Sequence, residues 1–450
     1  MKQNLDEKLR RFTALLKAHI KPGERIVAAV SGGADSMVLL ALLHEAQETC
    51  GYEILVAHIH HHLRAASDAE WQFVENYCAT LGVPFYGSHV DVKAACAESH
   101  RSMEAEAHRL RHEALQAVVQ AQQASWLLLA HHAGDRAETV LMNLLRGAGS
   151  SGLAAMPVQN GNILRPMLVF TRADIEMLCA QRGISFVTDE SNSDTTILRN
   201  RIRHELLPLL ETYNPQVVQA LNRLAESVSC DQAYLQAQAE ALQNACIVFQ
   251  AKQWCLFQRD PLTRAHTAVQ RALIYACVQN FSSGRSALRF EMVEEAVRLI
   301  SAGRGRVDLG KGLFCECTRR FVYLGAAPQG EWWRDDTGHW RHDFLEASLT
   351  APAEMCVHTY QSGETLAVKN VGRKSLKKFF QEQSVPPCLR SVWPLVYDTK
   401  IKEIIWVPFL ASGRQLMYYN SVTFLKVKLT IRMAQNETCC AFTAERDKEQ

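Results

Sequence analysis

The segment 31–36 brings together two hydroxyls, two adjacent glycines and a carboxylate, in the order Ser31, Gly32, Gly33, Ala34, Asp35 and Ser36. Glycine lets the backbone turn sharply and approach a ligand closely, and the amides that open a helix attract anions. No Lys follows the glycines, which excludes a Walker-type loop. These residues predict a phosphate-binding loop. The alternative is an ordinary strand-to-helix turn that Asp35 caps.

A second group of ionisable side chains follows a later apolar run: His131, His132, Asp135 and Glu138. Asp135 and Glu138 stand three residues apart at the predicted start of a helix, so both project from one face. This spacing fits a capping box, a functional carboxylate pair, or both. The two histidines could pack in the core, bind a metal or contact phosphates. We favour a phosphate contact and include His131 among the catalytic residues.

The histidine-rich segment 58–62 is a third group. In an extended strand His58, His60 and His62 would lie on one side, which suggests zinc. No cysteine or carboxylate lies nearby in sequence to complete a zinc site. We therefore do not favour a metal here, and we assign His58 to the phosphate-binding site at the end of its strand.

The elements that must position these residues alternate along the first part of the chain. Apolar runs predict strands at 25–30, 53–59, 84–90 and 126–130, and helical patterns lie between them at 35–46, 67–81, 102–120 and 135–146. This alternation predicts an α/β fold, a parallel sheet with helices on both faces. Ligands of such sheets bind beyond the carboxyl ends of the strands, which is where the first three groups of polar residues stand.

Changes of pattern along the rest of the chain predict further domains. We expect a catalytic domain over residues 1–212, a mainly helical middle domain over 213–325 and a small α+β domain over 351–440. Residues 306–324 are strand-like. The segment 326–350 carries Pro328, Gly330, Gly338 and three tryptophans and is predicted to be a linker.

Composition narrows the class of protein. The chain has 450 residues, 48% of them hydrophobic, and its 49 basic and 47 acidic residues give a net charge of +2. This charge neither supports nor excludes a nucleic-acid partner. The 14 cysteines include no Cys-x-x-Cys pair, and no secretory leader or membrane-spanning apolar run is present. We expect a cytoplasmic protein with reduced thiols and no membrane contact.

Residues 26–210 carry a series of motifs in a distinctive order: Ser-Gly-Gly-Ala-Asp-Ser at 31–36, Ala-His-Ile-His-His-His-Leu-Arg at 57–64, His-His-Ala-Gly-Asp-Arg-Ala-Glu-Thr at 131–139, Asn-Leu-Leu-Arg-Gly-Ala-Gly at 143–149, Asp-Glu-Ser-Asn at 189–192, and a basic run at 199–208. The first is the fingerprint of PP-loop ATP pyrophosphatases. Together they resemble the tRNA(Ile)-lysidine synthases of that superfamily. His62, His108 and His112 depart from the family pattern, which commonly has Gly, Arg and Tyr there.

The resemblance implies a reaction. A PP-loop enzyme cleaves ATP to AMP and pyrophosphate with Mg2+, for which Asp35 is the implied ligand. A lysidine synthase adenylates the C2 carbonyl oxygen of the wobble cytidine in a CAU-anticodon tRNA(Ile). The ε-amine of L-lysine then attacks C2, and AMP leaves. Asp135 and Glu138 are implied to bind the lysine ammonium or Mg2+.

Two basic groups are candidates for contact with tRNA. The first comprises Arg199, Arg201 and Arg203, for which a solvated helix face is the alternative. The second lies in the last domain: Lys369, Arg373, Lys374, Lys377 and Lys378. It resembles the carboxy-terminal domain with which longer lysidine synthases recognise the acceptor stem. The Phe379 and Phe380 that follow are expected in the core. The sequence allows a homodimer without predicting one.

Three rival functions remain at this point. A tRNA thiolase of the same superfamily generally needs a reactive cysteine or an iron-sulfur pair, and the missing Cys-x-x-Cys argues against it. A small-molecule amidotransferase or NAD synthetase would leave the basic carboxy-terminal residues unexplained. A regulator that binds ATP without turnover is kept open by the departures at His62 and His108.

Overall fold

The computed structural model describes residues 2–60, 67–99, 103–187, 196–282, 288–336, 338–343, 347–350, 355–368, 372–400, 402–407 and 428–431. His62, the motif at 189–192 and Lys369 lie outside these residues. The chain forms two compact units, Met1–Gln232 and Ala233–Gln450.

A six-stranded sheet is the centre of the first unit. Its strands are β1 Arg25–Ala29, β2 Glu53–His60, β3 Phe85–His89, β4 Trp126–Leu128, β5 Gln159–Asn160 and β6 Ile163–Leu164. They lie in the order β3-β2-β1-β4-β6-β5, and every neighbouring pair is parallel except β5 with β6. The predicted parallel sheet is confirmed. The sequence missed β5 and β6, since two-residue strands leave no pattern to detect.

Helices surround this sheet. They are α1 Lys2–His19, α2 Ala34–Cys50, α3 Ser67–Leu81, α4 Val92–Ser99, α5 Met103–Ala121, α6 Ala133–Leu145, α7 Ser150–Leu153, α8 Arg172–Arg182, α9 Leu198–Arg201, α10 Leu207–Tyr213 and α11 Val217–Cys246, which contains the boundary between the units. A 3-10 turn covers Pro166–Val169, and a π-helical stretch, Ile202–Leu206, joins α9 to α10.

Alternate residues of the strands bury against helices on opposite faces. Ile26 and Ala28 of β1 pack in one cluster with side chains of α1, α2 and α8. Val27 and Ala29 pack in a second cluster with Leu115 of α5. Each fully buried large aliphatic side chain contributes about 1.5–3 kcal/mol. The carboxyl ends of the strands are thus held as one rigid edge.

The second unit begins with an antiparallel sheet in the order β7-β8-β11-β10-β9. Its strands are β7 Ile247–Ala251, β8 Trp254–Gln258, β9 Gly305–Gly310, β10 Leu313–Cys317 and β11 Phe321–Ala326, and its helices are α12 Arg259–Arg264, α13 Thr267–Phe281 and α14 Phe290–Ala302. The strand-like residues 306–324 correspond to β9 to β11. The sequence missed β7 and β8 because short apolar runs between helices fit a helix equally well.

The remaining elements of the second unit are short. Strands β12 Trp333–Arg334, β13 Trp340–His342, β14 Ala347–Thr350 and β20 Lys428–Ile431 form one sheet, β15 Met355–His358, β18 Leu395–Asp398 and β19 Glu403–Trp406 a second, and β16 Thr365–Val368 pairs with β17 Gly372–Ser375. The helices are α15 Leu376–Glu382 and α16 Pro387–Arg390. Phe379 and Phe380 are buried, as predicted, in one cluster with Phe249 and Trp254.

The segment 326–350 differs from the predicted linker. It contains β12, β13 and β14, and the buried indole of Trp332 donates a hydrogen bond to the carbonyl of Val392 at 3.0 Å. Trp332, one of the three tryptophans of this segment, is thus a core residue. Gly330 lies between β11 and β12, and Gly338 lies between β12 and β13. None of the helices in the described ranges is long and apolar enough to cross a membrane.

Candidate active site

The phosphate loop leaves the carboxyl end of β1 and enters α2. Gly33 is the N-cap of α2 and makes no side-chain cap, while Asp35 lies in the first turn. The alternative in which Asp35 caps the helix is therefore wrong. The Ser36 hydroxyl donates to the carbonyl of Gly33 at 2.9 Å and accepts from the amide of Ser31 at 3.1 Å. The hydroxyl of Ser36 thus braces the loop in this conformation.

Only one of the two loop glycines has a backbone that requires glycine. Gly32 has φ +90°, and its Cβ position is otherwise open, with the nearest atom at 3.4 Å. Gly33 has φ −74°. We expect Gly32→Ala to lower the free energy of unfolding by about 1–2 kcal/mol, the cost of a left-handed backbone at a residue with a Cβ.

Gly33→Ala is the matched control, since a Cβ there meets only the Ser31 hydroxyl at 3.7 Å. Chemical denaturation of both variants measures the difference. Equal stabilities for the two variants would contradict the backbone argument.

His58 lies beneath the loop. It is 3% exposed, and its Nδ1 donates to the carbonyl of Val30 at 2.8 Å. Burial lowers the pKa of His58, which therefore favours the neutral ring. Its ring lies edge-on to Trp71 with centroids 5.6 Å apart. The structure thus gives His58 a supporting contact to the loop, and its predicted contact with ATP stays a prediction.

The second group of polar residues lies at the start of α6, which follows β4. His132 is the N-cap, and its Nδ1 accepts from the amide of Gly134 at 2.9 Å. The carboxylate of Asp135 accepts from the amide of His132, also at 2.9 Å. The capping box predicted for this segment therefore exists with different members, because Asp135 is the third helical residue and Glu138 takes no part.

Glu138 and Asp135 are paired instead with two arginines. Arg199 donates from Nε to Glu138 and from Nη2 to Asp135, both at 2.8 Å. Arg203 donates from Nε to Glu138 at 2.6 Å and from Nη2 to Asp135 at 3.1 Å. Glu138 is 2% exposed. The cluster of these four residues is a closed network of two carboxylates and two guanidinium groups, which we call the carboxylate–arginine cluster.

Two of the three arginines of the basic run thus bind carboxylates of the protein itself, and the predicted contact of the run with tRNA stays a prediction. Arg199 and Arg203 stand four residues apart, so helical backbone brings both to one face, against α6. Arg201 lies on another face, with a side chain 61% exposed and 3.8 Å from Glu205. Of the three arginines, Arg201 alone has its guanidinium outside the cluster.

Burial and neighbouring charges shift the pKa values of Asp135 and His131. Burial raises the pKa of Asp135, but the nearby His132 and Arg199 outweigh it and hold the pKa below its ordinary value. Burial lowers the pKa of His131 to about 3. At neutral pH Asp135 is thus an anion and His131 a neutral ring, so His131 can offer a hydrogen bond to a phosphate but no positive charge.

His132 connects the two groups of polar residues. Its Nε2 lies 3.6 Å from Asp135 and 3.9 Å from Asp35 of the phosphate loop. Burial raises the pKa of Asp35, while His132 and Arg172 act in the opposite direction. Arg172, at the start of α8, donates to Asp35 at 3.2 Å. The sequence made His132 a candidate for a phosphate contact but did not predict its position between Asp35 and Asp135, and it did not single out Arg172.

The site has the ligand chemistry for Mg2+ that accompanies phosphates. Among the described side chains, no group of three or more His, Cys, Asp or Glu residues could hold a metal by itself. Mg2+ commonly takes one or two carboxylates together with substrate phosphates. Asp35 supplies one such carboxylate at the phosphate loop, with 33% of its side chain exposed. The residues present therefore suit a metal that arrives with the nucleotide.

Comparison with known families agrees with this geometry. The PP-loop domain family matches residues 1–210, the part that holds the loop, β4 and the carboxylate–arginine cluster. The chain is therefore a PP-loop enzyme that uses ATP. A second family, the TilS substrate C-terminal domain, matches residues 356–417.

Full-length relatives identify the family. The tRNA(Ile)-lysidine synthase of Geobacter sulfurreducens is 32% identical over 441 residues, which cover 90% of this chain and 93% of that protein. The tRNA(Ile)-lysidine synthase of Bacillus subtilis is 28% identical over 458 residues, which cover 93% and 95%. This chain belongs to the tRNA(Ile)-lysidine synthase family. It is a tRNA-modifying enzyme, as the motifs predicted.

Proposed function

We propose that this enzyme joins L-lysine to C2 of the wobble cytidine in CAU-anticodon tRNA(Ile), through an adenylated tRNA. The single observation that carries the proposal is the position of His132, whose ring lies within 4 Å of both Asp35 and Asp135. A phosphate site and a buried carboxylate site thus lie side by side. Adenylation of a carbonyl oxygen, followed by attack of an amine on the carbon that bears it, needs both sites within reach of one base.

The first reaction forms the adenylate. The C2 carbonyl oxygen of cytidine attacks the α-phosphorus of ATP, an oxygen–phosphorus bond forms, and pyrophosphate leaves. The loop amides and the Ser31 hydroxyl are placed to bind phosphate oxygens at the start of α2. Mg2+, held by Asp35 and the phosphates, would supply positive charge to the leaving pyrophosphate. His131, a neutral ring near Asp135, is a further candidate for contact with a phosphate.

The second reaction replaces AMP by lysine. The neutral ε-amine attacks C2, the C2–oxygen bond breaks, AMP departs, and the nitrogen loses a proton. An ammonium group must first be recognised, and Asp135 and Glu138 are anionic acceptors at the end of β4. In the structure both carboxylates are occupied by guanidinium groups. For the lysine ammonium to bind there, Arg199 or Arg203 must release a carboxylate oxygen, or the ammonium must bind the same carboxylate beside the guanidinium.

The direct test is release of AMP and pyrophosphate from ATP in the presence of L-lysine and unmodified CAU-anticodon tRNA(Ile). Each component is omitted in turn, and the wobble nucleoside is analysed by mass. The proposal predicts release that depends on tRNA, and a cytidine that gains lysine. Release without tRNA, or a nucleoside without lysine, would overturn it.

We also propose that residues 1–212 carry out catalysis and that residues 351–440 dock the tRNA. The match of residues 356–417 to the TilS substrate C-terminal domain supports the second assignment. Arg373 and Lys374 are paired with Glu403 and Glu382. Lys377 and Lys378, in the first turn of α15, are exposed. These two lysines are the better placed for phosphates.

Charge reversal of both Lys377 and Lys378 to Glu should weaken tRNA binding by about tenfold or more at low salt. It should also flatten the dependence of the binding constant on salt, because fewer counterions are released. Filter binding across a salt series measures both effects.

The control reverses Lys17 and Lys21, two exposed lysines at the end of α1 and just beyond it, with the same change in net charge. An unchanged affinity and salt slope for the Lys377 and Lys378 variant would count against docking by α15.

A further inference from the structure

Arg172 lies at the phosphate loop without a role in either half of the proposed reaction. Its Nη1 donates to both carboxylate oxygens of Asp35, at 3.2 and 3.4 Å, and its Nε donates to Glu176 at 3.0 Å. Its side chain is 53% exposed. One guanidinium is therefore shared between two carboxylates, and solvent-exposed pairs of this kind hold a side chain only weakly.

The backbone around Arg172 is fixed at both ends of its helix. Before α8, the carbonyl of Phe170 accepts from the amide of Ala133, the first residue of α6. After α8, the amide of Val187 donates to the carbonyl of Gly32 in the phosphate loop. A capping box between Thr171 and Asp174 starts the helix, and Lys8 of α1 binds Asp174 at 2.5 Å. The helix is thus held against both parts of the site, and the half-exposed side chain of Arg172 extends from a fixed backbone.

The other groups that lower the pKa of Asp35 already have partners of their own. They are His132 and Arg203. His132 is the cap of α6, and Arg203 belongs to the carboxylate–arginine cluster. The loop has no lysine of its own. A departing pyrophosphate carries several negative charges, which amides and one metal ion neutralise only in part. Arg172 is the cation near Asp35 with the weakest existing contacts.

We propose that Arg172 binds the β- and γ-phosphates of ATP and the pyrophosphate product, and that its contact with Asp35 belongs to the nucleotide-free enzyme. When Asp35 turns to the metal that accompanies the phosphates, Arg172 loses that partner and gains phosphate oxygens. A guanidinium presents paired donors that match phosphate oxygens. Arg172 thereby keeps Asp35 neutralised before ATP binds and contacts the leaving group afterwards.

The test compares Arg172→Gln with the parent enzyme in calorimetric titrations with ATP, AMP and pyrophosphate, each with Mg2+. We expect the dissociation constants of ATP and pyrophosphate to rise at least about tenfold, the loss of one charge-assisted contact. The AMP constant should not change, since AMP lacks the two outer phosphates. Arg172→Lys should recover part of the lost affinity for ATP and pyrophosphate, because lysine keeps the positive charge but lacks the paired donors of a guanidinium.

Arg182→Gln is the matched control, because Arg182 ends the same helix and pairs with Glu45, away from the loop. An equal loss of AMP and ATP affinity in Arg172→Gln would show a structural role and overturn the inference. Unchanged dissociation constants for all three ligands would overturn it too.

The inference rests on the proposed function only for the identity of the leaving group. The titrations need neither tRNA nor lysine, so they report on Arg172 even if the acceptor is another molecule. Failure of the proposed function would show in the parent enzyme, as absence of lysine on the wobble cytidine.

Discussion

Asp35→Ala is expected to lower tRNA-dependent pyrophosphate release by at least about a thousandfold while the protein stays folded. Asp35 is the carboxylate of the phosphate loop and lies in the first turn of α2, next to the amides that we propose bind the phosphates of ATP. Without it, the pyrophosphate would leave without the metal that neutralises its charge. Loss of AMP formation should accompany loss of pyrophosphate, because both products come from one bond cleavage.

The fold should tolerate this change. Asp35 makes no cap and its partner Arg172 is half exposed and also bound to Glu176. Removal of one exposed partner costs about 1 kcal/mol or less. Pyrophosphate release and thermal unfolding of the same preparation measure the two effects together.

Glu45→Ala is the control for Asp35→Ala, since Glu45 lies on the same helix and pairs with Arg182 on α8. It should release pyrophosphate at the parent rate. A folded Asp35→Ala enzyme with parental activity would remove Asp35 from the catalytic site.

The position of the site was predictable from sequence because the strands of a parallel sheet all end at the same edge. Polar segments that follow β1 and β4 must meet at one edge, since both strands run in the same direction and lie next to each other. In the structure the two segments do meet, since His132 lies within 4 Å of both Asp35 and Asp135. The fold class needed only the alternation of apolar runs and helical patterns.

The partners of the charged residues were not predictable in the same way. Arg199 lies 61 residues beyond Glu138, and Arg172 lies 137 residues beyond Asp35. No local spacing connects such residues, so a dense basic run was assigned to an external phosphate. The helical repeat that brings Arg199 and Arg203 to one face was readable, but the buried carboxylates opposite them were visible only in three dimensions.

Glu138→Gln is expected to lower lysine incorporation at least about a hundredfold while tRNA-dependent exchange of pyrophosphate into ATP continues. Both oxygens of Glu138 accept from guanidinium groups, and glutamine offers one acceptor and no charge. The variant loses an anion for the lysine ammonium and leaves Arg199 and Arg203 with Asp135 as their shared partner. Adenylation uses the phosphate loop, which this change does not touch.

The expected cost in stability is about 1–3 kcal/mol, because Glu138 is buried but its two arginines are each about one-third exposed. Isotope exchange, nucleoside mass analysis and thermal unfolding are therefore measured on one preparation. Glu294→Gln is the control, as Glu294 receives two hydrogen bonds from Arg271 in the other unit. It should keep both activities.

The two half-reactions decide what Glu138 does. If exchange and lysine incorporation fall together in Glu138→Gln, the carboxylate serves the phosphates or the metal, and its assignment to lysine is wrong. If neither falls, the cluster is structural. If only incorporation falls, and a high concentration of lysine restores part of it, Glu138 acts on the amine substrate. Asp35→Ala, by contrast, should stop both half-reactions at every lysine concentration, because no adenylate forms for lysine to attack.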